Sequence, residues 1–99
     1  MTITSVSVWH GGDDQAVAAA VKAAKTILLH HGAERHEFSI VHAGPNAGHW
    51  IVTTHYRNWE AFGKAMQHLS HDGEFHAVLA QMASICQLTS HQILASLDL

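Results

Sequence analysis

His-Trp-Ile-Val-Thr-Thr-His-Tyr-Arg-Asn-Trp-Glu-Ala-Phe, residues 49–62, carries the clearest secondary-structure signal of this chain. Its first eight residues are mostly β-branched or aromatic, a composition that is typical of a strand. Asn58 then offers a side-chain oxygen that can accept hydrogen bonds from the free N–H groups of a helix's first turn. The middle of the chain is therefore predicted to be a strand that leads directly into a capped helix.

A second strand precedes this one. Residues 44–48, Gly-Pro-Asn-Ala-Gly, favour a turn, and residues 34–43 read as a strand, so residues 34–56 are predicted to form a hairpin. Pairing Ala43 with His49 defines two faces, and a slip of two residues would keep them. One face carries His36, Phe38, Ile40 and His42 beside Trp50, Val52, Thr54 and Tyr56, and the other carries Glu37, Ser39 and Val41 beside Ile51, Thr53 and His55. Both faces hold bulky apolar residues, so both are expected to be covered.

A strand followed by a helix is predicted at the beginning of the chain. Residues 3–10 alternate as a strand does, and two glycines end the alternation. Asp13 or Asp14 is expected to cap a helix that runs to about His31. Gly32 suits the residue that follows a helix C-terminus.

The rest of the chain is predicted to form a helical segment and a last strand. An apolar stripe with helical spacing runs from Phe62 to Leu69, residues 70–73 interrupt it, and helical spacing resumes to about Ser84. Residues 85–94 then read as a strand. The order β-α-β-β-α-β predicts an α+β, ferredoxin-like fold, with a four-stranded antiparallel sheet in the order 4-1-3-2 and helices on one face only.

Composition indicates one small domain, residues 1–99, that pairs with a second copy. The chain is 47% hydrophobic and only 13% charged. A domain of this length has a modest core, so the surplus apolar surface favours a homodimer in which two sheets pack face to face.

Charge and cysteine content argue against several classes of protein. The net charge is −3, and the five Lys and Arg residues form no basic run, so no nucleic-acid partner is expected. No apolar stretch approaches a membrane span, and the first residues do not resemble a signal peptide. Cys86 is the single cysteine. A reducing, cytoplasmic compartment is the expectation.

Residues 49–62, together with the Gly-Glu-Phe segment at residues 73–75, resemble the dimeric α/β-barrel superfamily. This superfamily includes the antibiotic-biosynthesis-type monooxygenases and many uncharacterised stress-related domains. The resemblance implies a homodimeric barrel with a cleft between sheet and helices that holds a small aromatic ligand. Oxygenases, isomerases and haem enzymes share this fold, so the function has to be argued from the site.

The resemblance also allows a comparison with haem-degrading members, which use an Asn on the first strand, a Trp near the helix and a His ligand on the last helix. The first strand here has Trp9 and His10 but no Asn. Leu79 stands at the ligand position, with His76 one turn away, and only Trp59 matches the Trp. No cofactor is therefore predicted, and haem is kept as an alternative.

Glu37 and His55 are the predicted catalytic pair. They would face each other across the hairpin or lie one diagonal step apart. A carboxylate beside a histidine orients the imidazole and raises its basicity, as a general base requires. The alternative is an ordinary cross-strand ion pair worth about 0.2–1 kcal/mol.

Aromatic residues supply the predicted walls of a ligand site. A flat apolar ligand suits such walls, although a tryptophan equally suits a core or an interface. The predicted ligand-binding residues are Trp9, Trp50, Tyr56, Trp59, Phe62 and His76. Residues 68–76 are rich in histidine but carry no metal-binding motif, so no metal site is predicted.

Two functional hypotheses follow. The first is a cofactor-independent monooxygenase or isomerase that acts on a small aromatic compound, with His55 as base and Glu37 as its orienting partner. The second is a non-catalytic small-ligand-binding or stress-related domain. Both need the same cleft.

Overall fold

The computed structural model describes residues 1–97 as a four-stranded antiparallel sheet with three helices. In chain order the elements are β1 Ile3–His10, α1 Asp14–His30, β2 Arg35–Ile40, β3 Trp50–Tyr56, α2 Trp59–Leu69, α3 Gly73–Ile85 and β4 Gln87–Ala95. The strand order is β2-β3-β1-β4, which is the predicted order read from the other edge. The predicted ferredoxin-like fold class is thus confirmed.

Caps delimit the first two helices where the sequence suggested. The Asp13 side chain accepts a hydrogen bond from the backbone N–H of Ala16 at 3.1 Å. At the other end of α1, the backbone N–H of Ala33 donates to Leu28 O at 3.1 Å, and Gly32 has a positive φ. This is a Schellman ending, which satisfies the last free carbonyls of a helix. Asn58 caps α2 as predicted.

Two strand ends differ from the predictions by two residues or more. β2 ends at Ile40 rather than at residue 43. β4 begins at Gln87 rather than at residue 85, because Ile85 completes α3 and the backbone N–H of Cys86 still donates to Met82 O at 2.9 Å. The predicted interruption at residues 70–73 is confirmed, because Asp72 caps a new helix, its side chain accepting from the N–H of Phe75 at 3.0 Å.

The hairpin register differs from the assumed pairing by two residues. Arg35 lies opposite His55, and Ile40 lies opposite Trp50. A slip of two preserves the side-chain alternation, so both predicted faces are retained. Glu37 therefore pairs with Thr53 and lies one diagonal step from His55.

The core lies between one face of the sheet and the helices. It consists of two clusters of buried residues: Ile3, Leu28, Ala33, Tyr56, Ala65 and Leu69 in one, and Trp9, Val17, Ala20, Val21, Trp50 and Met82 in the other. Within residues 1–97, no helix combines the length and the apolar character that crossing a bilayer requires.

The opposite face of the sheet, which we call the open face, is not covered by any of the three helices. Val6, Val8 and Ile51 lie there half-buried. The edge strand β4 is exposed along its whole length, including Leu94 on the open face and Ile93 on the helix side. Apolar residues therefore remain uncovered on the open face and along β4.

Candidate functional site

A cavity of about 720 Å³ lies between the helix-side face of the sheet and the helices. Pockets that hold small organic ligands have about this size. Small side chains create the space, because Ala20 and Ala24 line it from α1 while Ser5 and Ser7 line it from β1. Larger residues at these positions would fill the layer between helices and sheet.

The chemistry of this cavity is apolar and uncharged. Its other walls include Leu28, Val52, Leu69, Val78 and Met82. Among the described residues that line it, none is Asp, Glu, Lys or Arg. A charged ligand group would lose its hydration there without gaining an ion pair, so the cavity favours a neutral apolar compound.

His36 is the buried polar residue of the cavity wall that is incompletely hydrogen-bonded. Its Nδ1 lies 2.9 Å from Thr54 Oγ1, and its Nε2 is buried without a hydrogen-bond partner among residues 1–97. Burial lowers the pKa of His36, and the positive charge of Lys25 lowers it further. Both effects disfavour the imidazolium, so His36 is a neutral imidazole near pH 7.

A second imidazole lines the cavity from the opposite edge of the sheet, on the same helix-side face. His91 Nε2, on β4, lies 2.8 Å from Ser5 Oγ. Ser5 is the direct cross-strand partner of Thr54. The helix-side face thus carries a band of polar groups from His36 on β2 to His91 on β4, across an otherwise apolar surface.

Tyr56 lines the same cavity and is almost fully buried. Its ring meets the Phe62 ring edge-on, with centroids 5.4 Å apart. Burial raises the pKa of Tyr56 to about 12. The phenol is therefore held in its neutral form.

This raised pKa predicts a loss of stability at high pH. The unfolded chain ionises Tyr56 near pH 10, whereas the folded state keeps it protonated to about pH 12. The stabilisation is complete below pH 10 and is lost as the pH rises from 10 to 12, by up to about 3 kcal/mol at about 1.4 kcal/mol per pKa unit.

Tyr56 is the single tyrosine of the chain, so ultraviolet absorbance of tyrosinate reports on this residue alone. Urea unfolding at pH 9 to 11 measures the stability. Tyr56→Phe should remove the part of the alkaline loss that is due to this group. An ordinary tyrosine titration in the folded protein would contradict the prediction.

The predicted pair of Glu37 and His55 forms, but it lies on the open face. His55 Nε2 is 2.7 Å from Glu37 Oε1, and His55 Nδ1 is 3.1 Å from Thr4 Oγ1. Both ring nitrogens therefore already have partners. The sheet separates the pair from the cavity, so a ligand in the cavity does not reach His55.

Only some of the predicted ligand-binding residues line the cavity. Trp9 and Tyr56 line the cavity. Trp50 lies outside the lining, because it stacks on Phe38 at 5.2 Å and its Nε1 donates to Gly11 O at 3.0 Å. The others outside the lining are Trp59, Phe62 and His76, of which Trp59 is 53% exposed.

The positions compared with the haem ligand of haem-degrading proteins place no histidine side chain on the cavity wall. Leu79 lines it, whereas His76 lies outside with its Nε2 3.0 Å from Ser70 O. Within residues 1–97, no group of three or more His, Cys, Asp or Glu side chains is arranged to hold a metal ion.

His36 and His91 were not among the predicted site residues. For His36 a signal existed, because it shares its strand face with Phe38 and Ile40, so a histidine interrupts an apolar pattern there. For His91 no comparable signal existed, since β4 is polar along much of its length.

No protein-family model and no curated protein matches this sequence. Solved structures do match. SnoaB, a cofactor-independent oxygenase from Streptomyces nogalater, is 11% identical over 99% of this chain and 95% of its own, with a TM-score of 0.77. A dimeric ferredoxin-like protein of unknown function from Thermobifida fusca is 14% identical over 95% and 88%, with a TM-score of 0.64. A Chloroflexus aurantiacus protein assigned as an antibiotic biosynthesis monooxygenase is 10% identical over 99% and 95%, with a TM-score of 0.55.

The chain has the ferredoxin-like fold of these proteins. The neighbours match the superfamily that residues 49–62 resemble. At such low identities the likeness concerns the fold, and what the cavity does has to be argued from its own residues.

Proposed function

We propose that this protein is a cofactor-independent monooxygenase that acts on a small, uncharged aromatic compound bound in the cavity. The size of the cavity and the absence of charged groups among its described lining residues support such a ligand. Among the neighbours of like fold, SnoaB is a cofactor-independent oxygenase. Isomerisation of the same type of compound is a related reaction. Both the oxygenation and the isomerisation begin with loss of a proton next to an oxygen-bearing carbon.

The observation that carries this proposal is the unpartnered Nε2 of His36. A buried ring nitrogen without a hydrogen bond costs about 1–3 kcal/mol, and an oxygen substituent of the ligand would supply the missing partner. Deprotonation of an enolisable aromatic ketone gives an electron-rich enolate, which can transfer electrons to O₂. Conversion of a ring CH₂ to C=O with one O₂ releases one H₂O, so the substrate supplies all four electrons and both protons of the CH₂ end in that H₂O.

Native mass spectrometry and oxygen consumption test this proposal together. The spectrum of the purified protein is expected to show an additional mass of a small organic compound. Adding that compound, once identified, should consume O₂ and yield an oxygenated product without any added metal or flavin. Binding without O₂ consumption or rearrangement would contradict the enzymatic proposal.

A non-catalytic ligand-binding domain is the second candidate. The observation that favours it is that burial raises the pKa of two cavity groups, Tyr56 and Cys86, and so holds both of them neutral. The Cys86 thiol also donates to Met82 O at 3.3 Å. Saturable binding without product would support this candidate.

We also propose that the chain works as a homodimer whose open faces pack together. The half-buried apolar residues of the open face and the exposed β4 strand support this arrangement. Apolar sheet faces of this kind are stable when a second sheet covers them. One neighbour of like fold is described as dimeric.

A charge placed at the centre of the open face is expected to prevent dimerisation. Val6 lies there between Thr53 and Gln92. Val6→Glu would bury a carboxylate against its own copy, and it should convert the dimer to monomer in size-exclusion chromatography with light scattering. Thr26→Glu, on the exposed side of α1, is the control and should stay dimeric. A dimeric Val6→Glu variant would place the interface elsewhere.

A further inference from the structure

The position of one proton on His36 decides what the cavity offers to a ligand. A neutral imidazole carries its proton on either Nδ1 or Nε2, and the other nitrogen accepts. Nδ1 is 2.9 Å from Thr54 Oγ1, whereas Nε2 is unpartnered. His36 lines the cavity, and its buried Nε2 is either an N–H donor or a lone pair, according to the tautomer.

Thr54 distinguishes these two arrangements. Within residues 1–97, its hydroxyl forms a side-chain hydrogen bond with His36 alone. If the hydroxyl donates to Nδ1, the imidazole proton is on Nε2, and one N–H lacks an acceptor. If Nδ1–H donates to the hydroxyl oxygen, both the hydroxyl proton and the Nε2 lone pair lack partners. Each unpaired buried group costs about 1–3 kcal/mol, so the first arrangement is favoured.

We propose that Thr54 is a positioning residue that keeps the proton of His36 on Nε2, so that His36 binds a ligand through an acceptor oxygen, a carbonyl or its enolate. This inference rests on the proposed function, because it assigns the group of the ligand that His36 contacts. An acceptor oxygen at Nε2 completes every hydrogen bond of the pair. Negative charge that develops on that oxygen during proton loss is then stabilised by a neutral N–H donor.

Nitrogen-15 NMR of the histidine rings tests the tautomer directly and needs no ligand. In the wild-type protein, Nε2 of His36 should resonate in the range of a protonated nitrogen and Nδ1 in the range of an unprotonated one. Thr54→Val keeps the shape of the buried side chain and removes the hydroxyl, so the two shifts should move towards each other as both tautomers are populated. Thr54→Ser should restore the wild-type pattern. A protonated Nδ1 in the wild type, or unchanged shifts in Thr54→Val, would overturn the proposal.

Two probe compounds separate this inference from the proposed function. 1-Tetralone carries an acceptor oxygen on a bicyclic frame, and tetralin lacks it. The wild type should bind tetralone about 2- to 10-fold more tightly than tetralin in NMR titrations, the effect of one net hydrogen bond. Thr54→Val should reduce that ratio and Thr54→Ser should keep it. If neither probe binds while the tautomer is as stated, the proposed ligand class fails and the role of Thr54 stands. Equal binding of both probes would overturn the acceptor contact.

Discussion

Replacing His36 by phenylalanine is expected to lower turnover of the cavity's substrate by about 10²–10³-fold, the usual loss when one donor to a developing oxyanion is removed. The side chain is a buried part of the cavity wall, and phenylalanine keeps a planar ring there. The variant should still fold, because it removes a nitrogen that has no partner, although it also deprives Thr54 of its hydrogen bond. Steady-state kinetics measures turnover, and circular dichroism with urea unfolding measures the fold.

His55→Phe is the matched comparison, since it makes the same substitution on the neighbouring strand but on the open face. The hypothesis drawn from sequence, with His55 as base, requires that this variant lose turnover. The structure predicts that it keeps turnover, because the sheet lies between His55 and the cavity and both ring nitrogens have partners. Loss of turnover in His55→Phe with full activity in His36→Phe would reverse the assignment.

Gly12→Ala is expected to destabilise the fold by about 2–5 kcal/mol. Gly12 has φ +87°, and a Cβ atom there would lie 2.6 Å from Ile85 O and 3.0 Å from Val17 Cγ2. The left-handed backbone costs about 1–2 kcal/mol for a residue with a side chain, and overpacking costs about 1–3 kcal/mol more. A domain of this size has a total stability of about 5–15 kcal/mol, so the loss is a large part of it.

Gly11→Ala provides the control for this prediction. Gly11 has nearly the same backbone, with φ +88°, but a Cβ atom there would meet no atom of residues 1–97 within 4 Å. It should therefore cost only the backbone strain, about 1–2 kcal/mol. Urea unfolding of both variants gives the difference, which is the cost of the close approach to α3. Equal destabilisation would show that the chain moves away from Ile85 without penalty.

The local architecture could be read from the sequence because its causes are local. Alternation gave β1 and β3, Asp13 and Asn58 capped the helices as expected, and Gly32 followed α1. The end of β4 nearest α3 was misplaced because Ile85 suits a strand and a helix equally. Only its position on the last turn of α3, packed against the second core cluster, decides for the helix.

The location of the candidate site could not be predicted from strand pairing within the hairpin. Alternation correctly separated His36 from His55, but it does not tell which face the helices cover. That choice is made by burial of whole faces: β1 and β3 bring Ile3, Trp9, Trp50 and Tyr56 together on one side, and the apolar stripes of the helices cover that side.

The order of elements, the caps of α1 and α2 and the two faces of the hairpin strands could therefore be predicted from the sequence, because periodicity and capping act between near neighbours in the chain. The strand order followed from the rules that govern how such elements connect. The positions of His55 on the open face and of His36 on the cavity wall became known only from the packing of the helices against the sheet. The tertiary structure also decided that small residues of α1 and β1 leave a cavity between them. These facts depend on how distant segments pack, and the free energy of burying whole surfaces determines that packing.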